Sequence, residues 1–294
     1  MNENTKRKIL YPYYCLWRPS EKRDLKMKID LFDPKCKYKD SYAQEIQYMK
    51  DRDIITMFPY SFREKYNDMP IDVLWDDTKK LHYVIHLGKK LYYPADMTEE
   101  GIRNTYRAIL LEQDEESPHR YFSRDFNFEE GDIFCDIGCA EGNMALEVVD
   151  RARALLLFEA EEKWIPALQA TFEPWQDKVY IINKYAGDHM DDKTTTIAYE
   201  LKCADREGRI YFKIDAEGSE KSILKGMEEI IAAGRVSGGA VCTYHRQEDG
   251  NVFKKLFDGM GFSTQFSTGY VIYRHSEELR PPYFRRGLIR VKKD

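Results

Sequence analysis

The sequence predicts an α/β domain built on a seven-stranded, mostly parallel sheet that ends in an antiparallel hairpin. Three observations carry this. After Asp132, short runs of β-branched, aromatic and aliphatic residues alternate with stretches at helical spacing, the signature of βαβ units. The first such run ends in a glycine-containing loop, Asp136-Ile137-Gly138-Cys139-Ala140-Glu141-Gly142-Asn143, that enters a helix. The last two runs are separated only by Ser267, Thr268 and Gly269, too little chain for a parallel crossover.

In chain order, residues 1–75 read as an N-terminal extension without legible chemistry, broken by Pro12, Pro19 and Pro34. A helix is expected from Ser41 to Met49, with the Met57–Tyr60 patch docking it on the rest. The main domain, 76–279, opens with a hairpin from His82 to Tyr93 around Gly88. Ile102, Tyr106, Ile109 and Leu110 then form one face of a helix over 99–113. The seven strands are Ile133–Asp136, Ala154–Glu159, Lys178–Asn183, Arg209–Asp215, Gly239–His245, Phe262–Phe266 and Tyr270–Arg274. After the fourth, Ser219 is suited to cap a helix striped by Ile223, Leu224, Met227, Ile230 and Ile231, which Gly234 ends. Residues 280–294 form a basic tail carrying Arg280, Arg285, Arg286, Arg290, Lys292 and Lys293. Such a run is solvated or grips an anionic carrier, for instance a nucleotide- or lipid-linked sugar.

Composition excludes several classes. Among 294 residues, 43% are hydrophobic and 14% aromatic, which rules out a disordered chain. The 46 Lys and Arg are outnumbered by 51 Asp and Glu, a net charge of −5, so no global positive field draws the chain to nucleic acid. The apolar run Ala154–Phe158 falls far short of the roughly 20 residues that span a bilayer, so no transmembrane segment is expected. The first residues carry signal-like basic groups, but their apolar patch is short, is broken by Pro12 and lacks a cleavage site. Cys15, Cys36, Cys135, Cys139, Cys203 and Cys242 show no paired spacing, which points to reduced thiols and a cytoplasmic setting. Cys135 and Cys139 lack the second Cys/His pair that a metal site of that type requires.

The chemistry-bearing residues gather where the strands end. Glycines at 138 and 142 let a ligand approach the backbone between Cys139, Ala140 and Asn143. A dinucleotide site would place a glycine where Ala140 stands, and Asp136 would repel a pyrophosphate but attract a sulfonium and an amino group. Glu159 lies 23 residues after Asp136 at the next strand end, next to Ala160, where a carboxylate can accept from both ribose hydroxyls. At the third strand end, the Ala186 backbone and the Asp188 carboxylate are candidates for the adenine edge. Asp215 and Glu217 follow the fourth strand, and Tyr244 and His245 end the fifth, at the edge where open α/β sheets bind ligands. Asp215 and His245 are the natural acid–base pair.

The blocks DIGCAEG, LLFEAE and KIDAEGSE, in that order, resemble the FkbM-type family of S-adenosylmethionine-dependent methyltransferases, which typically methylate hydroxyls of sugars or related natural products. The Ser117–Tyr121 stretch resembles a segment of some bacterial members and brings His119 in, with Glu217 and Tyr244, as substrate-contacting candidates. The resemblance runs from about His82 to Arg274. It implies a Rossmann-like class I methyltransferase fold, cofactor contacts at Asp136, Gly138, Gly142 and Glu159, and an active-site role for Asp215.

On this reading His245 is the general base that deprotonates the acceptor hydroxyl, since imidazole titrates near neutrality, while Asp215 orients it or binds the cofactor's amino group. A magnesium ion held by Asp215, Glu248 and Asp249 is a less favoured variant, because Glu248 and Asp249 are better explained as caps of the next helix. Arg280-Pro281-Pro282-Tyr283 lies beyond the seventh expected strand and reads as a turn rather than an amine-methylating loop. Two alternatives stay open: a nicotinamide-dependent oxidoreductase, and a noncatalytic binding module that uses its first 70 residues for contact. The acceptor and the oligomeric state are not legible.

Overall fold

The computed structural model describes residues 19–204, 207–274 and 279–293. The signal-like start with Pro12 and Cys15 lies outside the described residues, as does Asp294. In chain order the elements are α1 (Pro19–Phe32), α2 (Ala43–Arg52), β1 (Leu74–Asp76), β2 (Leu81–His86), β3 (Lys89–Tyr92), α3 (Glu99–Glu112), β4 (Ile133–Ile137), α4 (Asn143–Val148), β5 (Ala154–Phe158), α5 (Ile165–Phe172), β6 (Val179–Ile182), the short pair β7 (Tyr185–Ala186) and β8 (Thr194–Thr195), α6 (Ile197–Cys203), β9 (Ile210–Ile214), α7 (Glu220–Gly226), α8 (Glu228–Ala232), β10 (Val236–Cys242), α9 (Asp249–Gly259), β11 (Ser263–Phe266) and β12 (Leu288–Lys292).

The large sheet runs β11-β12-β10-β9-β4-β5-β6. Strands β10, β9, β4, β5 and β6 are parallel, and β12 is antiparallel to both neighbours. This order, with its single reversed strand, is that of the Rossmann-like methyltransferase fold. Strands β4, β5 and β9 are buried on both faces, as a helix-covered parallel sheet requires. One apolar cluster, including Phe134, Leu155, Leu157 and Tyr211, lies on one side; the other, including Cys135, Leu156, Phe212 and Phe257, lies opposite. Among the described residues no helix is long and apolar enough to cross a membrane.

Six of the seven expected strands, the hairpin and the two helices expected before the sheet fall within a few residues of their observed bounds, whereas the seventh strand and the helix after the fourth strand need correction. The seventh strand is Leu288–Lys292, not Tyr270–Arg274, and it lies inside the segment read as a basic tail. Residues 270–274 are bound elsewhere: Tyr270 N–H donates to Tyr60 Oη (2.7 Å), Ile272 N–H to the Met57 carbonyl (3.0 Å), and Val271 bridges Arg285. Tyr270 and Ile272 meet α1 and α2, where Ile272, Tyr283 and Phe284 pack with Met27, Leu31, Ile46 and Met49, while Val271 and Tyr273 join the main apolar cluster. The helix after β9 is broken at Met227 into α7 and α8, and the Ser219 side chain makes no cap hydrogen bond. Residues before 75 share this core: Phe58, Tyr60 and Phe62 belong to the same apolar cluster as Leu155 and Tyr211. Strand β1 itself crosses the expected boundary at 75.

The basic tail has a different job from the one its charge suggests. Arg290, 5% exposed, donates from Nε to the Tyr121 carbonyl (2.9 Å) and from Nη2 to that of Arg120 (2.6 Å). Arg285, 3% exposed, donates from Nη1 to the carbonyls of Tyr244 (2.6 Å) and His245 (2.7 Å). These guanidinium groups satisfy buried carbonyls of two loops rather than facing an anionic carrier. Gly287, just before β12, lies against Pro118, and a Cβ there would overlap the Pro118 carbonyl. Gly287→Ala is therefore expected to lower stability by about 1–3 kcal/mol or more by overpacking. Urea unfolding with an unchanged midpoint would refute that contact.

Candidate active site

Side chains alternate along a strand, so register decides which ones meet. Phe134 pairs with Tyr211 and Asp136 with Lys213 across β4 and β9, and Val241 of β10 pairs with Ile214. Period two then puts Asp136, Lys213, Asp215, Cys242 and Tyr244 along one face, running toward the carboxyl edge of the sheet. On this face Tyr121 and His119 arrive from the loop that Arg290 holds.

Asp215 is the hub. It accepts from Tyr121 Oη at Oδ2 (2.9 Å) and from Tyr244 Oη at Oδ1 (3.1 Å). His119 Nε2 lies 3.5 Å from Oδ2, and His245 Nε2 lies 3.5 Å from Oδ1. On its far side His245 Nδ1 meets Glu220 Oε1 at 2.8 Å, and that oxygen is fixed by the N–H groups of Ala216 (3.0 Å) and Gly218 (3.3 Å). Burial alone would raise the Asp215 carboxyl; the hydrogen bond and charge of His119, with Lys213 and His245, outweigh it and hold the group well below the usual carboxylate range. Burial alone would lower His245, but Glu220 and Asp215, with Glu217 behind them, raise it. His119 is raised in the same way, burial being overcome by Glu112 and Asp215.

The expected pairing of Asp215 with His245 is thus present, and His119 and Tyr244 join it as buried neighbours. Beside this cluster opens a cleft of about 480 Å³, lined in part by Gly138, Ala140, Glu159, Ala160, Ala186, Asp215 and Glu217. That volume lies within the range of small-molecule sites. A larger groove of about 650 Å³ runs along α5 and β6, but it lies away from the converging strand ends and from this cluster. Glu159 accepts from Ala140 N–H at Oε2 (2.9 Å) and from Glu161 N–H at Oε1 (2.8 Å), so two backbone donors fix a carboxylate that keeps further lone pairs. Asn183 holds the same turn by donating to the Glu159 carbonyl (2.8 Å). Gly138 adopts φ +69°, and a Cβ there would overlap the Asp215 carbonyl, so this glycine serves the approach of two strand ends.

Other expected residues lie elsewhere. Asp136, 1% exposed, is not open to a guest: its Oδ1 faces Lys213 Nζ at 3.1 Å, and Lys213 also donates to the Gly138 carbonyl (2.6 Å). Burial would strip the Lys213 proton, but Asp136 and Asp215 more than offset this and keep it charged. Asp188 turns to Lys225 (2.8 Å), Ser222 (3.0 Å) and His189 (3.2 Å) rather than to the cleft. Gly142 and Asn143 begin α4, and a Cβ on Gly142 would crowd Leu168 and Phe172, so its role is packing. Cys139 is buried in the apolar cluster.

The magnesium set is not assembled: Glu248 pairs with Arg280 (2.9 Å), and Asp249 Oδ2 accepts from Arg246 N–H (3.2 Å). Neither belongs to a metal-ligating cluster among the described residues. Reading the sequence missed Lys213, Tyr121, Glu112, Glu220 and Glu141, whose carboxyl burial pushes up to about 7. Lys213 was findable, as a lone cation between apolar residues of a strand. Glu112 and Tyr121 come from outside the sheet and carried no such signal.

No protein-family model and no curated protein matches this chain. Similar solved structures include the C-terminal domain of precorrin-6Y C5,15-methyltransferase from Rhodobacter capsulatus, 13% identical, covering 68% of this chain and 91% of that one at a TM-score of 0.38. TrmK from M. capricolum, in complex with S-adenosyl-homocysteine, is 11% identical over 57% of this chain and 64% of its own, with a TM-score of 0.38. An rRNA methylase from Streptococcus thermophilus is 13% identical over 56% of this chain and 88% of its own, with a TM-score of 0.36. The sheet order and strand directions, rather than these scores, carry the assignment of the fold.

Proposed function

We propose that this chain is an S-adenosylmethionine-dependent O-methyltransferase acting on a hydroxyl of a sugar, glycan or related small molecule, with His245 as general base. The observation that carries the reading is the Asp215 hub, with two histidines and two tyrosines, beside an acid-lined cleft at the carboxyl edge of the sheet. The residues fit the cofactor: Glu159 offers a prefixed carboxylate for ribose hydroxyls, Gly138, Ala140, Ala160 and Ala186 offer small side chains and backbone, and Asp215 and Glu217 offer negative charge. When bound, S-adenosylmethionine supplies an electrophilic methyl group on a positively charged sulfur. The FkbM-type blocks support a sugar-like acceptor.

For the chain's own residues the task is to align a hydroxyl and remove its proton. His245 takes the proton at Nε2, the nitrogen on the side of the cleft-lining Asp215 and Glu217, while Glu220 at Nδ1 orients the ring and, with Asp215, stabilises its cation. A protonated His245 cannot accept, so the rate rises with pH. Because its acidic neighbours raise His245, the rising limb of kcat against pH is expected above the ordinary imidazole value of about 6.5. A flat profile from pH about 5 to about 9 would remove His245 as the base.

The test of the reading is transfer of labelled methyl from S-adenosylmethionine to a panel of nucleotide-linked sugars, cell-envelope glycans, small metabolites and RNA. Label in a sugar hydroxyl, with a mass gain of one CH₂, is the expected result; label confined to RNA or to an amine would overturn the acceptor class. Binding without transfer across the panel would favour a noncatalytic module. Thermal stabilisation by NAD but not by S-adenosylhomocysteine would favour an oxidoreductase; a ligand at 100 times its Kd stabilises by about 2.7 kcal/mol.

A further inference from the structure

We propose that His119, Cys242 and Asp215 form a binding site for one borderline-soft divalent ion of the zinc type. The inference does not depend on the methyl-transfer reading, since it concerns ion binding without any donor or acceptor. His119 Nε2 lies 3.6 Å from Cys242 Sγ and 3.5 Å from Asp215 Oδ2, and the ligand atoms of the three residues all lie within 4.8 Å of one another. Two atoms bound to one ion at about 2.0–2.3 Å and near-tetrahedral angles are separated by about 3.3–3.8 Å, which the two His119 distances match. The donors are one imidazole nitrogen, one sulfur and one carboxylate oxygen, a set suited to zinc and poorly suited to magnesium.

The surroundings support a ligating role. Metal-bound histidines and carboxylates are ordinarily held by a further layer of polar groups. Behind His119, whose Nδ1 is buried without a hydrogen-bond partner, the Glu112 carboxylate stands at 3.8 Å. Tyr121 and Tyr244 donate to the two oxygens of Asp215. Cys242 also differs from Cys135: both are fully buried, but Cys135 lies among apolar side chains, whereas Cys242 Sγ lies beside an imidazole and, at 3.7 Å, the Tyr121 hydroxyl. Binding would expel the Cys242 thiol proton, so that one thiolate and one carboxylate neutralise the two charges of the ion, with His119 binding as neutral imidazole. The Lys213 ammonium is already paired with Asp136.

The experiment titrates the full chain, first dialysed against chelator, with Co²⁺ and then displaces it with Zn²⁺. One equivalent per chain with thiolate-to-cobalt charge-transfer absorption is expected. Cys242→Ser should abolish that absorption, His119→Asn should weaken binding at least about tenfold, and Glu112→Gln about tenfold as an outer partner. Cys36→Ser and Cys203→Ser should change nothing. No stoichiometric binding, or absorption that survives Cys242→Ser or is lost in Cys203→Ser, would overturn the site. Should Cys242→Ser fail to fold, X-ray absorption of the wild-type zinc form decides: one sulfur neighbour at about 2.3 Å supports the site, and a shell of oxygen and nitrogen alone refutes it.

Discussion

His245→Asn is expected to lower kcat by about 10²–10⁴-fold while leaving affinity for S-adenosylhomocysteine nearly unchanged, because a general base acts on the acceptor's proton rather than on cofactor binding. The structure makes the substitution sharp. Glu220 and Asp215 flank the imidazole at 2.8 and 3.5 Å, and the Arg285 guanidinium holds the His245 carbonyl, so Asn occupies the same backbone position without a titratable nitrogen. Single-turnover kinetics beside a binding titration separates the two effects. Full turnover would show that the proton leaves by another route, and a parallel loss of affinity would make His245 a binding residue instead.

The second large effect concerns stability. Asp136 and Lys213 form an ion pair whose side chains are 1% and 8% exposed, inside the sheet face that carries the site. Lys213→Met leaves a buried carboxylate without its cation and is expected to cost about 3–5 kcal/mol. Adding Asp136→Leu should recover most of that loss, because two apolar side chains replace a pair whose desolvation cost offsets much of its attraction. Denaturant unfolding of the two single variants and the double variant measures the coupling. A loss below about 1 kcal/mol in Lys213→Met, the scale of an exposed pair, would mean that the two charges are not coupled as the geometry indicates.

The pairing changes the electrostatic picture that the sequence suggests. Asp136 was expected to attract a positive sulfur, but its charge is already answered by Lys213. The negative character of the cleft rests instead on Glu159, Asp215 and Glu217.

Where the sequence was legible, the physics was local. Five parallel strands announce themselves as apolar runs because helices cover both of their faces, and Glu159, Asp215 and His245 sit where those runs stop. The seventh strand was hidden because Leu288–Lys292 carries Arg290 and Lys292, and the burial of an arginine that satisfies two carbonyls 169 and 170 residues earlier in the chain has no local signature. Tyr270–Arg274 reads as a strand by composition, yet its side chains divide between the α1–α2 cluster, which takes Tyr270 and Ile272, and the main cluster, which takes Val271 and Tyr273. Likewise His119, Tyr121 and Glu112 reach Asp215 only through tertiary packing, and only a family resemblance drew His119 into view. Asp188 shows the converse: a carboxylate in a suggestive sequence position is captured by Lys225 and Ser222.

Titration calorimetry of S-adenosylhomocysteine, with NAD in parallel, into the wild-type chain and Glu159→Ala tests most directly whether the carboxyl-edge cleft is a nucleoside site. One equivalent of S-adenosylhomocysteine should bind the wild type, NAD should give no saturable heat, and Glu159→Ala should weaken binding about 10–100-fold, the worth of hydrogen bonds to a charged group. Saturable binding of NAD without S-adenosylhomocysteine, or undiminished affinity in Glu159→Ala, would contradict the account.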